Sequence, residues 1–427
     1  MNKSNFILCT AITVLAITAA RAQNSVNSPY SRYGYGALAD KTSVGQRAMG
    51  GIGYGLKNKT IINPMNPASY ANVDSLTFMF ELGLNGRYSY LKENTAKSSG
   101  INGNLEYLAL QFRLLPNLGI GAGMEPVSQT GYEYRDSGNL TEGDAELYNT
   151  VYSGNGGLNK IYGTIGYELF DKLSLGVKFA YLYGDIFHNR LFNNTTTGAN
   201  NTAVSDTLRA SGIALDFGLQ YLFPIRKNYT LIIGAVYTPK TNFNGSYKYG
   251  EYSVNNSTGN ISVDSLFSEN KTVHLPESLG LGLTFTRINK YTVGADVLYQ
   301  KWGNEKLYDG EGKLNNRLKI NAGGEFIPDL MNNKFLKRVR YRAGVSYSDA
   351  YFKINNVNTQ QKDVGYKEYG LNLGFGFPMV DRRSFVNISL EYSRIIPEIK
   401  QLLSEQQIKL SVSYTFNEAW FYKQKLK

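Results

Sequence analysis

From Leu76 to Phe416 the chain repeats one pattern, a segment of alternating apolar and polar residues followed by a break. A period of two puts successive side chains on opposite faces of a β-strand and gives each strand one apolar face. The last copy is the most regular, and its apolar positions are Ile408, Leu410, Val412, Tyr414 and Phe416.

The pattern predicts about fourteen strands. They cover residues 76–91, 104–115, 117–134, 157–170, 172–190, 206–223, 228–248, 272–287, 290–304, 315–327, 338–353, 365–377, 384–396 and 406–416.

The breaks between these strands alternate in length. Short turns are expected at 115–117, 170–172, 223–228, 287–290 and 378–383, with a somewhat longer one at 328–337. Longer polar loops are expected at 92–103, 135–156, 191–205, 249–271, 305–314, 354–364 and 397–405. Short turns at one end and long loops at the other are typical of outer-membrane barrels, whose short turns are periplasmic.

We therefore predict an all-β fold, a transmembrane antiparallel β-barrel of about fourteen strands with an N-terminal hatch or plug. Its expected location is the outer membrane of a Gram-negative cell, where its apolar face contacts outer-membrane lipid. An even strand number returns the chain to the side on which it entered, so both termini are expected in the periplasm.

The first 22 residues have the features of a secretory signal peptide: Lys3, a short apolar run, and Ala20-Arg21-Ala22 before Gln23. A transmembrane anchor is the disfavoured alternative, because the run is shorter than the about 20 residues that span a bilayer. The predicted organisation is a signal peptide (1–22), a hatch or plug (23–75), the barrel (76–416) and a basic periplasmic tail (417–427).

Glycines within the predicted strands fall mainly on the polar, inward-facing parity. A glycine inside a strand often marks a place where another backbone approaches closely. One interpretation is that residues 23–75 plug the barrel against these glycines, and the other is that glycine only eases the curvature of the wall. The glycines concerned are Gly119, Gly121, Gly123, Gly176, Gly218, Gly294, Gly344, Gly374 and Gly376.

Composition narrows the function further. The formal net charge is +11, but many of the basic residues lie in short turns and they form no nucleic-acid-binding patch, so no nucleic-acid partner is expected. The single cysteine, Cys9, lies in the predicted signal peptide, and the two histidines, His188 and His274, have no nucleophile signature beside them. We therefore expect no enzyme activity, no catalytic residues, no metal site and no cofactor.

Two local features are more informative. Asn63, Pro64, Asn66, Pro67 and Ala68 form a paired Asn-Pro element in the N-terminal segment. Within the third predicted strand, Glu125 precedes Pro126, which cannot donate a hydrogen bond to the ladder. The strand either ends near Glu125 or is kinked there, and renewed alternation at Tyr132 and Tyr134 favours the kink.

Together these features resemble the FadL-type long-chain fatty-acid transporters of Gram-negative outer membranes. The resemblance implies a fourteen-stranded barrel, a hatch that carries Asn66-Pro67-Ala68, and a lateral opening at a kinked third strand near Glu125 and Pro126. The segment 273–304, which contains a Leu-Pro pair and Trp302, is similar to the middle of the barrel in that family. The segments 28–36 and 417–427 are similar to Bacteroidota members.

The resemblance implies passive uptake of a fatty-acid-like hydrophobic small molecule, through hatch rearrangement and the lateral opening. No residue selects a particular ligand. The alternative is a FadL-like barrel that serves as a subunit of an outer-membrane secretion or assembly machine. Partner contacts would then involve the tail residues Trp420, Phe421, Lys423, Lys425 and Lys427. Polar residues at inward parity also depart from an apolar ligand pocket: Lys178, Asp216, Asp296, Asn387, Glu391 and Lys409.

Overall fold

The computed structural model describes residues 26–75, 77–139, 147–194, 200–255, 257–307, 313–356, 361–381, 383–399 and 402–419. The predicted signal peptide and most of the predicted tail therefore lie outside the described residues. Among the described residues, no helix is long and apolar enough to cross a membrane.

Fourteen antiparallel strands form a closed barrel. They are β1 (Thr77–Glu93), β2 (Ala96–Leu115), β3 (Leu118–Pro126 and Ser128–Asn139), β4 (Leu147–Leu169), β5 (Leu173–Asn194), β6 (Asn200–Arg226), β7 (Tyr229–Thr238 and Thr241–Asn255), β8 (Ile261–Leu275 and Ser278–Arg287), β9 (Tyr291–Gln300), β10 (Arg317–Phe326), β11 (Arg340–Asp349), β12 (Tyr366–Pro378), β13 (Phe385–Pro397) and β14 (Ser404–Ala419).

The first and last strands close the barrel, because β1 pairs with β14 from Thr77 opposite Ala419 to Lys92 opposite Ser404. The alternation observed in the sequence is realised in the wall. On β8, Leu279, Leu281 and Leu283 point outward and are 45%, 50% and 47% exposed. Such an outward apolar surface is the lipid-facing band of an outer-membrane barrel.

Short strands and a short helix lie outside the barrel wall, the strands at the long-loop end and the helix at the short-turn end. Segments Lys313–Leu314, Phe352–Asn356 and Gln361–Val364 form a small separate sheet beyond the ends of β10, β11 and β12. Of the two short helices, α1 (Val44–Arg47) lies in the N-terminal segment and α2 (Phe335–Arg338) lies in the turn between β10 and β11.

Several segments predicted to be loops are strands instead. Residues 92–103 lie almost entirely in β1 and β2, and residues 249–271 lie mostly in β7 and β8. Apolar residues do not alternate throughout these upper segments, so their sequence lacks the sustained pattern on which the prediction relied. Backbone pairing with the neighbouring strand holds them as ribbons beyond the lipid-facing band. The predicted end of the barrel at Phe416 was also too early, since β14 continues to Ala419.

Residues 26–75 fill the barrel interior, and we call them the plug. They contain 3-10 turns at Pro29–Arg32 and Pro67–Ala71, a two-residue strand at Ala37–Leu38, and helix α1 (Val44–Arg47). The helix begins with a capping box, in which the Ser43 and Gln46 side chains bond each other's backbone groups. Ile52, Ile62 and Tyr70 are fully buried, so the barrel supplies the core that this short segment lacks.

Candidate functional site

The paired Asn-Pro element is the centre of a hydrogen-bond network within the plug. Asn63 donates to the carbonyl oxygens of Gly53 (2.7 Å) and Leu56 (3.1 Å), and its own side-chain oxygen accepts from Gln46 (2.7 Å). Asn66 donates to the carbonyl oxygen of Tyr54 at 2.7 Å and accepts from the Ala68 amide at 3.0 Å. These side chains satisfy backbone groups that an irregular buried segment would otherwise leave unpaired.

The inward glycines of the wall lie where the plug backbone touches it. A β-carbon on Gly176 would lie 2.3 Å from the carbonyl carbon of Pro67, and one on Gly119 would lie 1.8 Å from the carbonyl oxygen of Tyr70. Gly344 makes a similar approach to Gly50. The close contacts favour the plug interpretation of the glycine pattern over wall curvature alone, because only a residue without a side chain leaves this space.

Glu125, the residue before Pro126, is buried at the centre of a charged cluster. Its carboxylate pairs with Lys160 at 2.8 Å and with Lys178 at 3.5 Å. Lys178 also donates to the carbonyl oxygen of Pro64, and this bond joins the cluster to the Asn-Pro element. Asp216 extends the cluster to Lys160 at 3.7 Å and to Lys41 of the plug at 3.6 Å.

Two further contacts anchor the plug to the wall. On β9, Asp296 accepts from the backbone amides of Gly53 (2.6 Å) and Tyr54 (2.9 Å). In α1, Arg47 pairs with Glu106 of β2 and lies 3.6 Å from Glu391 of β13. Removing one member of a buried ion pair typically costs about 3–5 kcal/mol, because the other charge is left buried and unpaired, so these contacts fix where the plug sits against the wall.

The remaining inward polar residues from the sequence analysis also have partners. Lys409 forms an ion pair with Glu106 at 2.5 Å. Asn387 accepts from Arg342 at 2.7 Å and donates to Ser413 and Thr415. Arg342 is held in turn by Glu325 at 2.8 Å. Polar residues at inward parity therefore hold the plug and the lower wall.

A pair of tyrosines also joins the plug to the wall. The Tyr70 hydroxyl lies 3.2 Å from the Tyr162 hydroxyl of β4. Burial raises the pKa of the Tyr70 phenol above its ordinary value, so the group stays protonated and can donate a hydrogen bond.

Strand β3 is interrupted at Val127, directly after Pro126. Its lower part pairs with β2 from Leu118 opposite Leu115 to Met124 opposite Leu108. Within the described part of the chain, no residue of β2 beyond Leu108 pairs with β3. The plug occupies part of the vacated edge, since Ala37–Leu38 pairs with Ser128 and Gln129.

Two cavities lie beside this interruption. One, of about 120 Å³, is bordered by Pro126 and by charged side chains: Asp40, Arg47, Arg87, Glu106, Glu391 and Lys409. The other, of about 110 Å³, is more apolar and is bordered by Tyr54, Val127, Val236, Leu275, Leu298 and Trp302. The larger cavity suits water and polar groups, whereas the smaller one could hold a small apolar molecule.

Both histidines are hydrogen-bonded: His188 to the Tyr132 hydroxyl at 2.7 Å, and His274 to the Asn242 side chain at 2.7 Å. In the described ranges, no group of three or more metal-ligating side chains comes together. The predicted partner residues Trp420, Phe421, Lys423, Lys425 and Lys427 lie outside the described residues.

Sequence reasoning missed the plug side of these contacts. Lys41, Arg47 and Asp40 lie in a segment without periodicity, and nothing local shows which wall residue each one meets. One sequence signal was available. A charged residue in a segment predicted to enter a barrel indicates an oppositely charged partner on the wall, because a buried charge needs a partner.

Comparison with known proteins identifies the fold and the family. The CymD monoaromatic hydrocarbon channel has a TM-score of 0.59 at 16% identity, with 91% of this chain and 99% of that chain covered. A FadL homologue from Pseudomonas aeruginosa gives 0.61 at 15%, covering 90% and 99%. The toluene transporter TodX from Pseudomonas putida gives 0.56 at 18%, covering 92% and 99%. At these identities the likeness establishes a FadL-type barrel fold.

Among curated proteins none matches this chain. A family model described as BamG, in contrast, matches residues 1–427, the whole sequence. The chain therefore belongs to the BamG family.

Proposed function

We propose that this protein is a plugged FadL-type barrel that acts as a subunit of an outer-membrane protein secretion or assembly machine. The observation that carries the proposal is the use of the inward polar residues. Lys178, Asp216, Asp296 and Glu391 all hold plug residues rather than lining an open path. The family name, which suggests an outer-membrane complex, supports the same function.

Opening this lumen would require several buried polar contacts to break together. Displacing the plug would separate Lys178 from Pro64, Asp296 from two backbone amides, and Arg47 from Glu106. Each loss exchanges a packed polar contact for contact with water in the opened lumen, and a hydrogen bond of this kind contributes about 0.5–3 kcal/mol. A barrel that binds proteins at its rims needs no such displacement, because its partners do not pass through the lumen.

In this proposal both termini lie in the periplasm and the long-loop end is extracellular. The basic tail would then be one docking element, with Trp420 and Phe421 as apolar anchors and Lys423, Lys425 and Lys427 as charged contacts. Aromatic residues are enriched among those that dominate protein interfaces.

Purification from the native membrane in mild detergent tests the proposal. A chain tagged in the 331–334 turn, at the end of the barrel away from the long loops, should co-purify with other outer-membrane proteins at fixed stoichiometry. Deleting residues 420–427 should reduce that recovery about tenfold, as expected when an interface loses an anchor. The deletion begins after β14, so the barrel itself should keep its heat-modifiable migration on gels. A tagged chain that purifies alone would refute the proposal.

A second candidate, passage of a small hydrophobic molecule, is favoured by one observation. The apolar cavity of about 110 Å³ reaches Val127, at the place where β3 is interrupted and β2 pairing has ended. A molecule in this cavity could leave sideways between β2 and β3 without crossing the charged contacts at the lower end of the plug. Fatty-acid-like ligands, hatch rearrangement and lateral release belong to this candidate.

A further inference from the structure

The upper part of β8, Ile261–Leu275, forms a tall ribbon with an open edge. On one side it pairs with Thr241–Asn255 of β7 along its whole length. On the other side β9 pairs only with the lower part of β8, from Ser278 to Arg287. Within the described ranges, no strand pairs with the second edge of Ile261–Leu275.

This edge has few of the features that normally protect a free strand. Natural edges are kept short or carry proline and lysine, because unpaired N–H and C=O groups can template another chain. From Ile261 to Asn270 there is neither proline nor lysine. The edge has two protective features. One is a bulge at the register shift between Glu251 and Tyr252. The other is the pair of acidic side chains Asp264 and Glu269.

Four apolar residues of this segment are exposed, and three of them share one face, since Phe267 opposite Tyr249 lies on the other. Ile261, Val263 and Leu266 are 69%, 61% and 69% exposed. Val263 lies opposite Tyr252 and Leu266 lies opposite Gly250, so the bulge brings both onto one face of the ribbon. Phe243 of β7 lies an odd number of residues from Gly250, so its side chain is on the opposite face of the ribbon. Phe243 is buried in the interior, so the face that carries Val263 and Leu266 is the outer one.

Lipid does not explain this patch. On the outer face of β8 the polar residues Ser268, Asn270, Thr272 and His274 separate Leu266 from the lipid-facing leucine at Leu279. At about 3.3 Å per residue and a strand tilt of about 35–45°, the two leucines lie about 30–35 Å apart along the membrane normal, whereas a barrel's apolar band is about 25 Å tall. The patch is therefore a second apolar surface, in the aqueous region beyond the first.

We propose that the edge at Ile261–Asn270 binds an extended strand of a partner protein by β-augmentation. The row of unpaired backbone groups specifies an extended polypeptide. Ile261, Val263 and Leu266 favour apolar residues at alternate positions of that strand, and Asp264 favours a lysine or arginine beside it. The inference rests on the proposed function and assigns the subunit an extracellular contact.

A second copy of this chain does not fit the edge. Two copies in one membrane present Ile261–Leu275 running in the same direction, from the loops toward the membrane. A parallel ladder joins each residue of one strand to residues on either side of its opposite number. Two identical edges related by a two-fold axis cannot supply that offset, so the occupant is a different chain.

Cysteine-directed photocrosslinking on intact cells tests the inference. Cys9 is the only cysteine in the sequence, so Cys9→Ser provides a cysteine-free background. Single variants Ser262→Cys, Ser265→Cys and Ser268→Cys carry a photoreactive thiol reagent. We expect all three to crosslink to one segment of one partner, at positions that advance steadily along it. Asn244→Cys is the matched control, since it is exposed on the same ribbon but has strands on both sides.

Charge substitution supplies the second readout. Ile261→Lys combined with Val263→Lys and Leu266→Lys should lower the crosslink yield about tenfold, the loss expected from about 1.4 kcal/mol of binding. Asn244→Lys with Thr272→Lys, on the same face of the ribbon but outside Ile261–Asn270, should change it less than about twofold. Heat-modifiable migration verifies that each variant folds.

The outcomes separate two failures. Crosslinks only to lipid, to scattered proteins or to a second copy would overturn the inference, as would no crosslinks from a chain that still co-purifies with partners. A chain that purifies alone would overturn the proposed function and, with it, this inference.

Discussion

Individual residues decide whether the plug can seat. Gly176 of β5 faces Pro67 so closely that an added β-carbon would lie 2.3 Å from a backbone atom. A backbone atom cannot swing aside as a flexible side chain can, so the plug or the strand must shift. Gly163 on the neighbouring strand β4 is different, because nothing lies within 4 Å of its added β-carbon.

Gly176→Ala should therefore loosen the plug, at a cost of about 1–3 kcal/mol for the overpacked contact. We expect faster cleavage of residues 26–75 by a protease in detergent, and a lower temperature of the heat-modifiable transition. Gly163→Ala serves as the matched control and should behave as the unaltered protein does. Equal cleavage of the two variants would show that the Pro67 contact does not hold the plug.

Among the strands, β3 differs from its neighbours because it changes partners partway along. Its lower part pairs with β2, but its upper part is paired on that side by the plug strand Ala37–Leu38. Proline at 126 stands at the changeover and cannot donate a hydrogen bond to either partner. The interruption is thus coupled to the plug through direct pairing.

Pro126→Ala restores one N–H donor at this changeover. If a hydrophobic molecule leaves by this route, the variant should extend β2–β3 pairing and slow uptake of a hydrophobic fluorescent probe by intact cells severalfold. Pro116→Ala, in the turn between β2 and β3, is the matched control and should leave uptake unchanged. Unchanged uptake in the Pro126 variant would exclude the lateral route.

At the scale of the whole molecule, a fourteen-stranded wall encloses more space than its own side chains fill. Residues 26–75 fill that space, and ion pairs such as Lys41–Asp216 and Arg47–Glu106 cross from plug to wall. The barrel and the plug thus form one packed unit, in which some inward charges of the wall meet opposite charges of the plug and others pair within the wall.

The intact chain should accordingly show no steady conductance in planar lipid bilayers. Deleting residues 26–75 removes the partners of the inward charges and leaves a wide polar lumen, so large, steady single-channel steps are expected. Heat-modifiable migration of the deleted form verifies that the wall still folds. Steady conductance of the intact chain would contradict a closed lumen and favour the channel.

Sequence reasoning was most reliable where one face of a strand meets lipid. Strands such as Phe385–Pro397 lie within a residue or two of their predicted limits, because alternation is imposed by the apolar surroundings. It was wrong for the upper part of β8, since a ribbon with water on both faces carries no period of two. Backbone pairing alone fixes such a ribbon.

The sequence by itself determined a barrel of about fourteen strands, because alternation and loop lengths are local properties of the chain. It also placed glycines such as Gly176 and Gly218 at inward positions of the wall, but did not decide between plug contact and wall curvature. Only the tertiary structure decided what each inward charge does. Lys178 meets Pro64, and Asp296 meets Gly53, across long stretches of sequence. These contacts form only when the barrel closes around the plug, because the partners are far apart in the sequence and no local pattern relates them.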